Sequence, residues 1–293
     1  MKIFTSEPLI EILSWAQETL KDSDFVTFEV LNPDYALGSY AGESLCIGDV
    51  EYLYRSYKAW GDLAELLFCR MMTPQILSDH TVCMTFNKLH RDQSFHHVDL
   101  QEEKYGTSSP FSRIHKNEEP TFLSAYTRAL NSIKIKEKKR VLNLGINTGD
   151  EFDLIRRMLD SSDYESIEFV GIDYSKSAIE TARERFSEGN ALFHVHDIND
   201  LASLDLGRFD CIITIGTLQS TSLEFKSLFA SLVQEYLTPD GAMILGFPNC
   251  RWMDGEMIYG AKAPNYPYSE MSILIKDVYT AKNISNKKNS ASR

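Results

Sequence analysis

Arg140-Val-Leu-Asn-Leu-Gly-Ile-Asn-Thr-Gly-Asp-Glu-Phe152 is the stretch whose reading decides the fold. An apolar run of strand length breaks at Gly145 and Gly149, then restarts at helical spacing. The pattern predicts a strand, a tight glycine turn and a helix N-terminus. In an open α/β sheet such a turn holds a ligand at the carboxyl ends of the strands.

Working downstream, the alternation continues. Strand 141–144 and helix 151–159 are followed by strand 167–172, helix 176–186, strand 191–196, strand 209–215 and a helix over 224–237. Thr238-Pro-Asp-Gly241 then turns the chain into a strand over 242–247. Alternating strands and helices predict a parallel sheet with right-handed crossovers and helices on both faces. The fold class is α/β, a Rossmann-like three-layer sandwich with a mainly parallel sheet.

Working upstream, residues 1–105 have the composition of a small α+β unit. Ser6 is placed to cap a first helix, with Pro8 in its first turn and Leu9, Ile12, Leu13, Ala16 and Leu20 at helical spacing. Strands are predicted over 25–30, 44–47 and 81–89, and a helix from about 52 to 72. The aromatics Tyr52, Tyr54, Tyr57 and Trp60 read as packing in preference to pocket lining. Residues 106–135 are read as a lid and linker ending in a helix over 121–133, with Pro120 in its first turn. Residues 136–293 make up the Rossmann-like domain.

The chain has 293 residues, 43% of them hydrophobic and 25% charged, with a formal net charge of −12. That balance is globular, and it disfavours nucleic acid as a partner. The five cysteines, Cys46, Cys69, Cys83, Cys211 and Cys250, contain no C-x-x-C and read as reduced thiols. His90, His96, His97 and Asp99 match no metal-ligand spacing, nor do His194 and His196, and no metal is expected. The N-terminus lacks the pattern of a signal peptide and no apolar run approaches a membrane span, so a cytoplasmic location is expected.

The turn identifies the ligand class. A dinucleotide needs G-x-G-x-x-G to seat its pyrophosphate. Here Gly149 is followed at once by Asp150 and Glu151, acids that oppose a pyrophosphate and suit the helix dipole, with Asp150 a natural N-cap. They also suit a phosphate-free ligand with a positive centre. Residues 140–250 resemble the core of a class I S-adenosylmethionine-dependent methyltransferase, with five motifs in order: Val141–Gly149, Gly171-Ile-Asp173-Tyr174-Ser175, His196-Asp197-Ile198, Phe209–Gln219, and Leu237–Gly241 leading into Phe247.

The resemblance implies that Asn143, Gly145, Asn147 and Gly149 meet the methionine and ribose portions of S-adenosylmethionine. It implies that Asp173 accepts the ribose hydroxyls and that Tyr174 lies against the adenine. Asp197 and the Ile198 amide then read the adenine edge, and Gly216 faces the transferred methyl. Two positions depart from the family, which has an acid where Asn143 stands and a glycine where Asn147 stands. Asparagine is the non-glycine residue best able to adopt a left-handed backbone, so the turn survives.

Methyl transfer is an in-line displacement in which the protein aligns the reactants and excludes water. No motif announces a general base. His115 and Gln219 are the catalytic candidates; Arg113 is placed to meet the cofactor carboxylate but reads in preference as an exposed charge. Asp210 reads as an anchor at a strand entrance. The loop 247–259 is expected to wall the acceptor site. A helix over 269–282 and a polar tail stand where the family adds a strand hairpin. The sheet should therefore stop at five strands, with a homo-oligomer or the N-terminal unit covering its edge. The expected function is S-adenosylmethionine-dependent methylation of a small molecule. The alternatives are RNA methylation and non-catalytic cofactor binding.

Overall fold

The computed structural model describes residues 1–90, 105–220, 223–247, 250–259 and 276–285. These fall into two compact units, one within 1–93 plus 252–259 and the other within 94–251 plus 260–293.

In the first unit, β1 (Lys2–Ile3) precedes α1 (Leu9–Asp22) and β2 (Phe25–Leu31). The hairpin β3 (Ser44–Ile47) and β4 (Val50–Leu53) leads to α2 (Tyr57–Leu66), followed by β5 (Cys69–Met71), β6 (Gln75–Ile76) and β7 (Thr81–Lys88). β7 pairs antiparallel with β2, β5 and β6. Alternate residues of β2 and β7 point inward, so the Phe28 ring meets Phe4, Trp15 and Phe86 edge-on.

Two expectations change here. Ser6 does not cap α1, which starts after Pro8 without a side-chain cap. The segment 52–72 is not one helix. Its start pairs in β4, Ser56 caps α2 by accepting from the Ala59 amide, and Phe68 at φ 54° turns the chain into β5. Tyr52, Tyr54 and Trp60 are buried, as expected of packing residues, while Tyr57 is exposed.

In the second unit, α3 (Pro120–Ser132) leads into β8 (Arg140–Leu144), α4 (Asp150–Met158), α5 (Ser161–Glu165), β9 (Glu168–Asp173), α6 (Lys176–Arg185), β10 (Ala191–Val195), β11 (Phe209–Ile215), α7 (Phe225–Ser231) and β12 (Leu237–Gly246). The strands lie in the order β10-β9-β8-β11-β12, all parallel. Chain order reverses between β8 and β11, which opens a crevice beyond their carboxyl ends.

Strand alternation divides the core between the two faces of the sheet. Val141, Phe169, Cys211 and Ile213 pack with Tyr126, Leu130, Phe152 and Ile179 on one face. Leu142, Val170, Ile172 and Ile212 pack with Phe229, Leu232 and Ala281 on the other. Burial pushes the Cys211 thiol up to about 12, so it stays a protonated core group.

At the opposite end of the strands, Arg140 grips Glu168 with two 2.9 Å bonds and lies 4.6 Å over the Phe209 ring. Asp210 accepts the Lys139 and Arg140 amides at 2.9 and 3.2 Å, the anchoring role its position implied.

The structure departs from the predicted elements at α7. The α-helix stops at Ser231 and continues as a π-helical turn over Leu232–Tyr236. The strand then begins at Leu237, and residues 238–241 bulge within it: Leu237 faces Phe209, and Ala242 faces Cys211. Helix α5, capped by Asp160, was not legible as a separate element. Among the described residues the sheet has five strands. A separate two-stranded sheet of β13 (Cys250–Met253) and β14 (Glu256–Tyr259) follows, and its residues 252–259 cluster with the first unit.

Residues 276–285 are helical. The remainder of the helix expected over 269–282, the tail beyond 285, Asn249, and the loop residues His96, His97 and Asp99 lie outside the described residues. No helix among the described residues is long and apolar enough to cross a membrane.

Phe152 is fully buried among the rings of Phe169, Phe186 and Phe193. Phe152→Ala should therefore cost about 3–5 kcal/mol of unfolding free energy, read as a lower urea midpoint at unchanged slope. A loss below about 1 kcal/mol would contradict this packing.

Candidate active site

The loop between β8 and α4 is a closed piece of backbone. Gly145 at φ 74° and Gly149 at φ 93° take left-handed conformations, and Asn147 joins them at φ 49°. The Gly145 and Ile146 amides both donate to the Ile172 carbonyl, at 2.8 and 3.1 Å, so the loop is fastened to the end of β9.

Gly149, not Asp150, stands at the cap of α4. Asp150 is the first helical residue and binds Arg185 of α6 at 2.6 Å. Arg185 also reaches Asp153 at 2.9 Å. The Asp153 carboxyl is held below its ordinary value despite the burial that opposes this, because Arg157, Arg156 and Arg185 surround it. Glu151 is buried, with Lys116 at 3.6 Å. Both acids at the helix start are thus paired within the protein. Their repulsion of a phosphate is weaker than the bare sequence implied.

Asp173 ends β9 beneath the loop. Its Oδ2 accepts the Asn147 amide and its Oδ1 the Ser175 amide, each at 2.9 Å. Burial raises its pKa against the opposing pull of these amides. The carboxylate has about four lone-pair sites, and the Asn147, Ser175 and Tyr174 amides leave room among them for a hydroxyl donor. Beside it, Tyr174 is exposed and presents its ring.

Asn143 is buried one residue before the strand end, on the face of β8 shared with Val141. Its Nδ2 has no hydrogen-bond partner among the described residues. Such an atom is costly unless something outside the chain accepts from it. Across the crevice, Gly216 follows β11 at φ 72° with open space where a side chain would project.

The other expected residues are less uniform. Asp197 caps the 3₁₀ turn beginning at Ile198, accepting the Asn199 amide at 2.9 Å and the Asn199 side chain at 3.0 Å. Ile198 buries its side chain in the second core. Gln219 is buried beyond β11. His115 and Arg113 are exposed, on the short 3₁₀ turns before α3, and do not join the buried residues beneath the loop. No cluster among the described residues could hold a metal ion.

Sequence reasoning overlooked Thr217 and Tyr105. A Cβ on Gly145 would strike the Thr217 side chain, so that side chain covers the turn. Valine at 145 would disturb this packing as well as any ligand space, and it is not a clean probe of the cofactor. Tyr105 carries the carbonyl that accepts from Asn147 Nδ2 at 2.6 Å. Both residues lie beside motifs in sequence or space, but neither has a periodic signal of its own.

These features fit S-adenosylmethionine: a carboxylate with free lone pairs, a buried spare amide donor and two glycine turns at the crevice. Residues 135–287, just over half of the chain, match the model of a methyltransferase domain. The chain belongs to this methyltransferase-domain family, of the class I S-adenosylmethionine-dependent type.

No curated protein sequence matches the chain. Among solved structures it is similar to the plantazolicin methyltransferase BpumL in complex with monoazolic desmethylPZN analog and SAH, at 20% identity and a TM-score of 0.34, covering 46% of this chain and 50% of that one. Coclaurine N-methyltransferase bound to N-methylheliamine and SAH gives 16% identity and a TM-score of 0.34, with 42% and 35% covered. The N-terminal domain of EvdMO1 with SAH bound gives 14% identity and a TM-score of 0.38, with 55% and 69% covered. The chain spans about half the length of BpumL.

Glu151 supplies a pH test. Burial raises its pKa, outweighing the attraction of Lys116. The folded state therefore holds this proton more tightly than the unfolded chain, and the ionised group costs stability increasingly as pH rises from about 4, the ordinary glutamate range. The stability of Glu151→Gln relative to wild type should accordingly rise between about pH 4 and pH 7 in paired thermal melts. A difference that is flat or falls with pH would contradict it.

Proposed function

We propose that the protein transfers a methyl group from S-adenosylmethionine to a small-molecule acceptor by in-line displacement. The observation that carries the cofactor assignment is the Asp173 carboxylate, tied to the Asn147 and Ser175 amides and still able to accept a ribose diol. Bound there, S-adenosylmethionine supplies an electrophilic methyl on a sulfonium.

The chain's own residues do the positioning. Gly145 and Gly149 keep the loop backbone close to the ligand, the Asn143 amide offers its spare hydrogen bond, and Tyr174 offers a face to adenine. Asp197 and the Ile198 amide lie at the end of β10, where an adenine edge would be read. Gly216 leaves room at the methyl end. The role of Asn143 is donation by Nδ2.

An acceptor of small size is supported by the net charge of −12, which opposes a polyanion, and by the segment 105–119 lying against the loop. The exposed His115 is not assigned as a base. The chemistry then rests on alignment and exclusion of water, and on an acceptor that is nucleophilic without a strong base.

Asp173→Asn replaces one accepting oxygen with a donor while keeping the shape. It should weaken S-adenosylhomocysteine binding by about 10–100-fold in calorimetry, with the circular dichroism spectrum retained. Unchanged affinity would remove Asp173 from the site. Methyl transfer from labelled cofactor to a metabolite pool tests the acceptor class. Labelling confined to RNA would replace the small molecule with a nucleic acid.

A further inference from the structure

We propose that Asn147 is a latch: its side chain holds segment 105–119 on the cofactor loop, and cofactor exchange requires that hold to open. The proposal rests on the reading of this loop as the S-adenosylmethionine site. The backbone alone does not explain an asparagine here. The turn needs a left-handed residue at 147, and glycine meets that need at no steric cost. Asparagine brings a side chain with both ends committed. Its Oδ1 accepts the Thr148 amide at 2.9 Å, which fixes the rotamer, and its Nδ2 donates to the Tyr105 carbonyl at 2.6 Å. Its backbone amide is already bound to Asp173. One residue therefore links the preceding segment, the glycine loop and the acid at the end of β9.

Three further contacts converge on the same place. Asn117 Nδ2 donates to the Asp150 carbonyl at 2.8 Å, and Lys116 lies 3.6 Å from the buried Glu151. The Thr107 amide donates to Ser177 Oγ, in the first turn of α6, at 3.1 Å. The Tyr105 ring packs edge-on against Phe111 at 5.0 Å, which stiffens the segment. Burial raises the phenol's pKa, and the nearby Asp173 charge adds to this. Segment 105–119 is thus held along the loop from 147 to 151 and beside the acid assigned to the ribose. A ligand gripped by these groups is covered by the same segment. Asn147 is a positioning residue, acting through the segment that it holds.

The discriminating variant is Asn147→Gly, because glycine keeps the left-handed backbone without strain and deletes the side-chain bonds to Tyr105 and Thr148. Asn147→Asp is its control: it retains an Oδ acceptor for Thr148 but sets a carboxylate oxygen against the Tyr105 carbonyl. Two readouts are required, amide hydrogen exchange over 105–119 in the free protein and the release rate of S-adenosylhomocysteine by stopped flow. Both variants should raise exchange in the segment and speed release by about 3–10-fold, the factor expected for one hydrogen bond. Wild-type exchange and release in Asn147→Gly would overturn the latch and leave 147 a backbone position only. If wild type binds no S-adenosylhomocysteine, the cofactor reading falls. The latch is then judged by exchange in the free protein, where no change in Asn147→Gly overturns it.

Discussion

A single carboxylate ties the catalytic end of the sheet together. Asp173 accepts the amides of Asn147 and Ser175, so the loop after β8 and the turn after β9 are fixed by one side chain. Charge-assisted bonds to backbone amides are short and orient the acceptor as well as holding it. Without Asp173, two left-handed glycines and an asparagine would have to keep the loop shaped against their own conformational entropy. Asp173 is therefore a structural group as well as the acid proposed to hold the ribose. Alanine at 173 would loosen the loop as well as remove the proposed ribose contact.

A second layer of order comes from paired charges at the start of α4. Asp150 meets Arg185, Glu151 meets Lys116, and Asp153 gathers three arginines. Most of these groups are partly shielded from water, where breaking one partner of a pair costs more than the pair itself contributes. The arrangement fastens α6 and the segment before α3 to the helix that begins the site. The net charge of −12 is therefore not spread over the loop, where the local acids are compensated.

The alternation of strands and helices from Arg140 onward was legible because the central strands β8, β9 and β11 are buried on both faces and read as near-continuous apolar runs. The five-strand parallel sheet, the left-handed Asn147 and the anchoring role of Asp210 were legible for the same local reasons. Boundaries failed where tertiary pairing overrides period. Tyr52 joins a hairpin instead of a helix, and Leu237 enters the sheet before its turn residues because the chain can bulge against Phe209. In the site, motif positions named the loop and the loop-rich composition of 106–135 named the segment beside it, but neither pointed to Tyr105. Tyr105 contributes a carbonyl there, and a carbonyl leaves no mark on residue type. The exposed His115 shows the converse, since a suitable side chain in the right segment still depends on which way the turn faces.

The most direct measurement is a titration of ¹⁵N-labelled protein with S-adenosylhomocysteine, followed residue by residue in amide NMR spectra. The account predicts saturable shifts at Gly145, Asn147, Gly149, Tyr174, Ser175 and Ile198, with the strand residues of β2 and β7 unmoved. No saturable shift at these amides, or shifts confined to residues away from the ends of β8, β9 and β10, would contradict it.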